Sequence, residues 1–216
     1  MTAKLPPSAS VASNLGGAKL HAPSAARNTD ALCNFLLKNA PQVGQALEIA
    51  SGTGQHVMSF ATALPDLIWQ PTDIDGARLA SIDAYAAHAG LANLKPAAML
   101  DATQVGWHRE HADKDLIVLV NLLHLISDPA AESVFKEAML SLASGGKFIL
   151  YGPFKRDGIL TSAGDASFDA DLREADPRIG YKNDADVMAL LRQAGAASVQ
   201  ITEMPSNNLA FTATKP

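Results

Sequence analysis

Short apolar runs alternate along the chain with longer amphipathic segments, and run length separates the two kinds of element. The runs read as strands over residues 45–50, 67–74, 94–100, 115–121, 146–152, 198–204 and 209–214. Helical periodicity occupies residues 55–64, 77–89, a shorter stretch near 103–111, and 130–143. Strands alternating with helices predict a parallel sheet covered on both faces, because parallel strands need long crossover connections. The last two runs break this rule. Only Pro205-Ser206-Asn207-Asn208 joins them, and so short a link permits only an antiparallel hairpin. The pattern predicts a doubly wound α/β domain of seven strands, mostly parallel, finished by one antiparallel strand.

Composition narrows the picture. The 216 residues are 48% hydrophobic and 18% charged, which suits one folded domain, assigned to residues 21–216. Residues 1–20, rich in Ala, Ser, Pro and Gly, read as a flexible tail or an arm laid over that domain. A net charge of −5 and the lack of a Lys/Arg cluster argue against nucleic acid as the main partner. The N-terminal stretch has no apolar centre of the signal-peptide kind, and no run approaches the ~18 residues of a membrane span, so no membrane partner is expected. The single cysteine, Cys33, rules out an intrachain disulfide and fits a reducing, cytoplasmic setting. Its apolar neighbours Leu32, Phe35 and Leu36 make it a packing thiol.

Candidate chemistry gathers at the predicted strand ends. The first strand runs into Ser51-Gly52-Thr53-Gly54 and then into the helical pattern of Gln55, His56, Val57 and Phe60. A strand, a Gly-rich turn and a helix start present backbone N–H groups to a nucleotide-like ligand. Three acids sharpen this. Glu48 stands just before the turn, where NAD-binding strands carry an apolar residue; the ammonium and sulfonium of S-adenosylmethionine (SAM) favour a carboxylate there. A strand-end acid in an ordinary salt bridge is the other reading. Asp73, in Trp69-Gln70-Pro71-Thr72-Asp73-Ile74-Asp75, falls 19 residues after Gly54, where an acid accepts from ribose hydroxyls; Asp75 competes with it or caps the following helix. Asp101, before Ala102, accepts from an adenine amine or caps the next turn.

Catalytic candidates belong to the same edge. His124, in Asn121-Leu122-Leu123-His124, orients a nucleophile or takes its proton, or is a structural histidine; Asn121 contacts the methionine part of the cofactor. Tyr151, in Tyr151-Gly152-Pro153-Phe154, walls the pocket or serves packing. Residues 155–183 are long, polar and Gly-containing, with a short helical stretch near 167–175, and read as a substrate lid. Arg27-Asn28, at the start of the first helix, suits a cofactor carboxylate. His108 and His111 have helical spacing but no third ligand, so no metal is assigned.

Several strings, from about residue 26 onward, carry a family resemblance: Ala26-Arg27-Asn28, Leu47-Glu48-Ile49-Ala50-Ser51-Gly52-Thr53-Gly54-Gln55-His56, Trp69-Gln70-Pro71-Thr72-Asp73, Asn121-Leu122-Leu123-His124, Tyr151-Gly152-Pro153-Phe154 and Met204-Pro205-Ser206-Asn207-Asn208. They resemble the small class I methyltransferase-like family of unknown function that includes methyltransferase-like protein twenty-six. The resemblance implies a Rossmann-like methyltransferase fold with SAM as cofactor. It implies cofactor contacts from Arg27, Asn28, Glu48, Ser51, Gly52, Gly54, His56, Asp73, Ile74, Asp101, Ala102 and Asn121. The methyl acceptor, a small molecule or a protein side chain, is expected near His124 and Tyr151. Ala50 stands where the wider methyltransferase motif has its first glycine. A non-catalytic SAM-binding protein is the alternative, and a nicotinamide dehydrogenase is disfavoured because the turn lacks the third glycine of GxGxxG.

Overall fold

The apolar runs become the strands of one sheet, and the amphipathic segments cover its two faces. The computed structural model describes residues 5–6, 9–14 and 16–216; residues 1–4, 7, 8 and 15, part of the expected tail, lie outside the described residues. A short antiparallel pair, β1 (Ser13–Asn14) and β2 (Leu20–His21), precedes α1 (Pro23–Asn39). Then follow β3 (Gly44–Ile49), α2 (Gln55–Ala63), β4 (Leu67–Asp73), α3 (Gly76–Ala89), β5 (Ala98–Met99), β6 (Lys114–Val120), α4 (Asp128–Ser141) and β7 (Leu142–Pro153). The chain closes with α5 (Ala163–Ala175), α6 (Asp184–Gln193), β8 (Ser198–Met204) and β9 (Asn208–Thr214).

The seven-stranded sheet has the order β5-β4-β3-β6-β7-β9-β8. β3, β4, β5, β6 and β7 pair in parallel, while β9 runs antiparallel to both β7 and β8. The order reverses between β3 and β6, the place where open sheets of this kind leave a crevice beyond the strand ends. Alternation along β3 feeds two cores. Leu47 and Ile49 pack with α4 and α6 residues such as Phe135 and Leu191, while Ala46 points to the face covered by Leu32, Val57 and Phe60.

Three expectations are corrected in detail. The run at 94–100 forms strand only at Ala98–Met99. Pro96 has no N–H for a ladder, and the Ala97 N–H donates to Asp83 Oδ1 at 2.8 Å instead. The stretch 103–111 shrinks to the 3-10 turn Trp107–Arg109, because Gly106, at φ +98°, stops helix from propagating back. The first helix starts at Pro23, a turn before Arg27, with proline at a position where its missing N–H costs nothing. The sequence reading assigned no helix to α6, whose Val187 and Leu191 bury one short stripe against the sheet.

Candidate functional site

The turn after β3 is set by left-handed residues. Ala50 (φ +54°), Gly52 (φ +60°) and Gly54 (φ +91°) reverse the chain so that its N–H groups point back at the strand ends. Ala50 therefore follows the glycine path, at a cost of about 1–2 kcal/mol for its Cβ. The Ser51 N–H donates to Thr72 O (2.7 Å), and the Gly52 N–H donates to Asp73 Oδ2 (2.8 Å). A Cβ on Gly54 would lie 2.9 Å from Ile82 Cα, so this glycine serves the close approach of α2 to α3.

Beyond the C-terminal ends of β3, β4, β5 and β6 lies a cavity of about 620 Å³. That is within the ~300–1,000 Å³ usual for small-molecule sites. Of the expected cofactor residues, Ser51, Gly52, His56, Asp73, Ile74, Asp101, Ala102 and Asn121 line it. Asp73 Oδ1 also accepts from the Asp75 N–H (3.0 Å), and Asp75 both lines the cavity and caps α3 through Ala77 N–H (2.7 Å). Asp101 fills its bland role too, accepting from the Thr103 hydroxyl (2.6 Å) and the Gln104 amide (3.1 Å).

The other expected residues sit off the wall. Arg27 is exposed on α1, and Asn28 pairs with His56 Nε2 across α1 and α2 at 2.7 Å. Tyr151 is buried in the core beside Val120 and Ala210, its hydroxyl without a hydrogen-bond partner among the described residues. His124 lies in the 3-10 turn Leu123–Leu125 after β6, edge-on to Phe168 and Tyr181. Its carbonyl accepts from the Gly180 N–H (3.0 Å), so it seats the segment after α5 over the end of β6.

Burial governs the titration of this region. Glu48 is buried under the turn, and desolvation lifts its carboxyl to about 8; its Oε2 has no partner among the described residues. Burial also raises Asp73, opposed by the Asp75 and Gly52 N–H groups and by Arg78. It lowers His56 and His124 to about 4, so both are neutral at ordinary pH.

Two features of the site were missed, and a third, the arm, was one of two readings of the N-terminal residues. Arg78, in the first turn of α3, approaches Gly52 and donates to Ser10 Oγ at 2.7 Å. A cation at a helix N-terminus opposes the helix dipole, and that anomaly was the readable signal. Asp176 and Arg178 pair bidentately on the cavity wall, Nη2 to Oδ2 at 2.6 Å and Nε to Oδ1 at 2.9 Å. The described part of the N-terminal arm also reaches the cavity, through Leu5, Ala9, Ser10 and Val11. It is tied down where Ala22 N–H donates to Gln55 Oε1 (2.6 Å) and Leu20 N–H to Ser81 Oγ (2.9 Å). Acceptors on two different helices hold it, and pattern along one segment does not reveal such pairings.

The fold matches solved methyltransferase structures at low identity. A proposed O-methyltransferase from Nostoc punctiforme superposes with TM-score 0.78 at 20% identity, over 89% of this chain and 57% of that one. An O-methyltransferase family protein from Burkholderia thailandensis gives 0.76 at 14%, over 89% and 57%. Human N-acetylserotonin methyltransferase in complex with SAM gives 0.74 at 12%, over 89% and 52%. The chain thus spans a little over half the length of these structures, and what it shares with them is a Rossmann-like methyltransferase fold. The family model described as "protein of unknown function (DUF938)" matches residues 19–215, nearly the whole chain, and the chain belongs to that family.

Proposed function

We propose that this chain is a SAM-dependent methyltransferase, akin to methyltransferase-like protein twenty-six, working on a small molecule or a side chain brought to the cavity. One observation carries the reading: Glu48, buried beneath the left-handed turn, has an unpartnered oxygen and no cationic partner among the described residues. A carboxyl in that state fits a ligand that brings its own positive charge, as the SAM ammonium does. The solved neighbour with SAM bound supports the same choice. When bound, SAM would supply a methyl group on a sulfonium, open to in-line displacement by the acceptor with S-adenosylhomocysteine (SAH) as the leaving group.

The chain's own residues do the positioning. Asp73, fixed by two backbone N–H groups, keeps lone pairs for ribose hydroxyls, and Asp101, on the cavity wall, would accept from the adenine amine. The Ser51 to Gly52 turn allows close approach of backbone, and Asn121, itself left-handed at φ +57° and on the cavity wall, would contact the methionine part. Transfer from a sulfonium runs largely on such alignment. His124 and Tyr151 act in this scheme as positioning residues: His124 seats the acceptor-side segment, and Tyr151 packs in the core between Val120 and Ala210. The absence of His124 from the cavity wall favours one second reading, a SAM-binding protein that does not turn over.

Calorimetric titration with SAM, SAH and NAD tests the proposal. Micromolar binding of both adenosyl ligands without NAD binding is expected, at about −8 kcal/mol. Tight NAD binding with no SAM signal overturns it. Labelled-methyl SAM, screened against metabolite and protein extracts for SAH release, then separates enzyme from binder.

A further inference from the structure

The cavity has an end that the expected cofactor residues do not line. Its wall comes from Leu5 and Ala9 of the arm, from Leu125 and Ile126 after β6, and from Ile179 after α5. Ala9, Leu125 and Ile179 belong to one small apolar cluster, so arm and post-α5 segment pack as a unit around this end. The charged groups there are Asp176 and Arg178.

Counting donors and acceptors shows what that pair offers. The Asp176 side chain is 7% exposed and accepts from Arg178 three times, from its backbone N–H (3.0 Å), Nε (2.9 Å) and Nη2 (2.6 Å). A carboxylate has about four lone-pair sites, so it is nearly spent. A guanidinium has five N–H donors, of which Asp176 takes two, and the other three have no acceptor among the described residues. Arg178 is 57% exposed but held in one plane by its partner. The pair therefore presents fixed donors at an apolar cavity end, an arrangement that suits a carboxylate on an apolar body.

Building on the methyltransferase reading, we propose that Arg178 is the acceptor-binding cation, and that the methyl acceptor is a small organic acid: an apolar, ring-sized body bearing a carboxylate. The SAM carboxylate has the same chemistry, and the experiment separates the two sources.

The full chain is saturated with SAH and titrated, by ligand-observed NMR, with 3-phenylpropanoate and with its uncharged amide. The acid should bind about tenfold more tightly than the amide, the size of one charge-assisted contact. Arg178→Gln should bring the acid to the level of the amide while SAH affinity stays within about threefold. No acid binding, equal binding of acid and amide, or an acid preference that survives Arg178→Gln overturns the proposal. So does a tenfold loss of SAH affinity in that variant, which assigns Arg178 to the cofactor. If SAH itself fails to bind, the methyltransferase reading has failed, and the same titration without SAH still judges the anion contact.

Discussion

The two ends of the cavity are built differently. At the cofactor end the acids Asp73 and Asp101 follow strand termini, and backbone N–H groups hold Asp73 at 2.8 and 3.0 Å. At the acceptor end the walls are the arm and the segment after α5, which lie outside the sheet and are held by contacts such as Leu20 N–H to Ser81 Oγ and Gly180 N–H to His124 O. A framework of strand ends fixes its geometry before a ligand arrives. Segments held by a few bonds can part and reclose, as loops that admit substrates must. Cofactor affinity thus belongs to the sheet, and acceptor choice to the arm and the segment after α5.

The strongest test of that contrast removes a strand-end group. Asp73→Ala should weaken SAM by about 1.5–3 kcal/mol, the range for hydrogen bonds to a charged group. It should also lower the ligand-free melting midpoint, since the Gly52 and Asp75 N–H groups lose their acceptor. Asp75→Ala, which removes a helix cap, should cost about 1 kcal/mol of stability and much less affinity. A larger affinity loss from Asp75→Ala in calorimetry would reverse their roles.

A smaller, pH-dependent effect follows from Glu48. Its folded value, about 8, lies above the unfolded one, so the folded state holds the extra proton between them. The contribution of Glu48 to the stability of the ligand-free protein should therefore be full below about 4.3 and decline as pH rises toward 8, while the buried, neutral His56 and His124 oppose it at acid pH. Glu48→Gln should remove that part of the decline in melting scans. Near pH 7, SAM binding should expel the proton, visible as a binding heat that varies with buffer ionisation enthalpy. A heat independent of buffer would show that Glu48 keeps its proton and does not answer the cofactor charge.

The smallest effect is expected from the arm. Ser10→Ala removes one contact to Arg78 and should change SAM affinity by no more than about 1 kcal/mol, while cleavage of the arm by a protease in the SAH-bound state speeds up. A loss as large as that from Asp73→Ala would move cofactor recognition into the arm and erase the contrast.

The same division explains what the sequence made legible. Strand and helix periods carried the mostly parallel seven-stranded sheet and the hairpin, because β3, β6 and β7 are largely buried and bounded by turns, whereas the order of the strands came only from their pairing. Strand-end residues such as Ser51, Asp73 and Asp101 were found because strand direction alone sends them to one edge. His124 was misleading: its place after β6 suggested a wall residue, but Phe168, 44 positions later, covers its ring. The Asp176 and Arg178 pair escaped notice because it reads as an ordinary Asp-Pro-Arg turn until the fold carries it to the cavity.

A diffraction structure of the SAH complex tests the central claim most directly. Ribose hydroxyls are expected on Asp73, adenine beside Asp101, the ammonium toward Glu48, and the sulfur facing the end walled by Ile126 and Ile179. Adenosine bound elsewhere, or a sulfur sealed from that end, would contradict it.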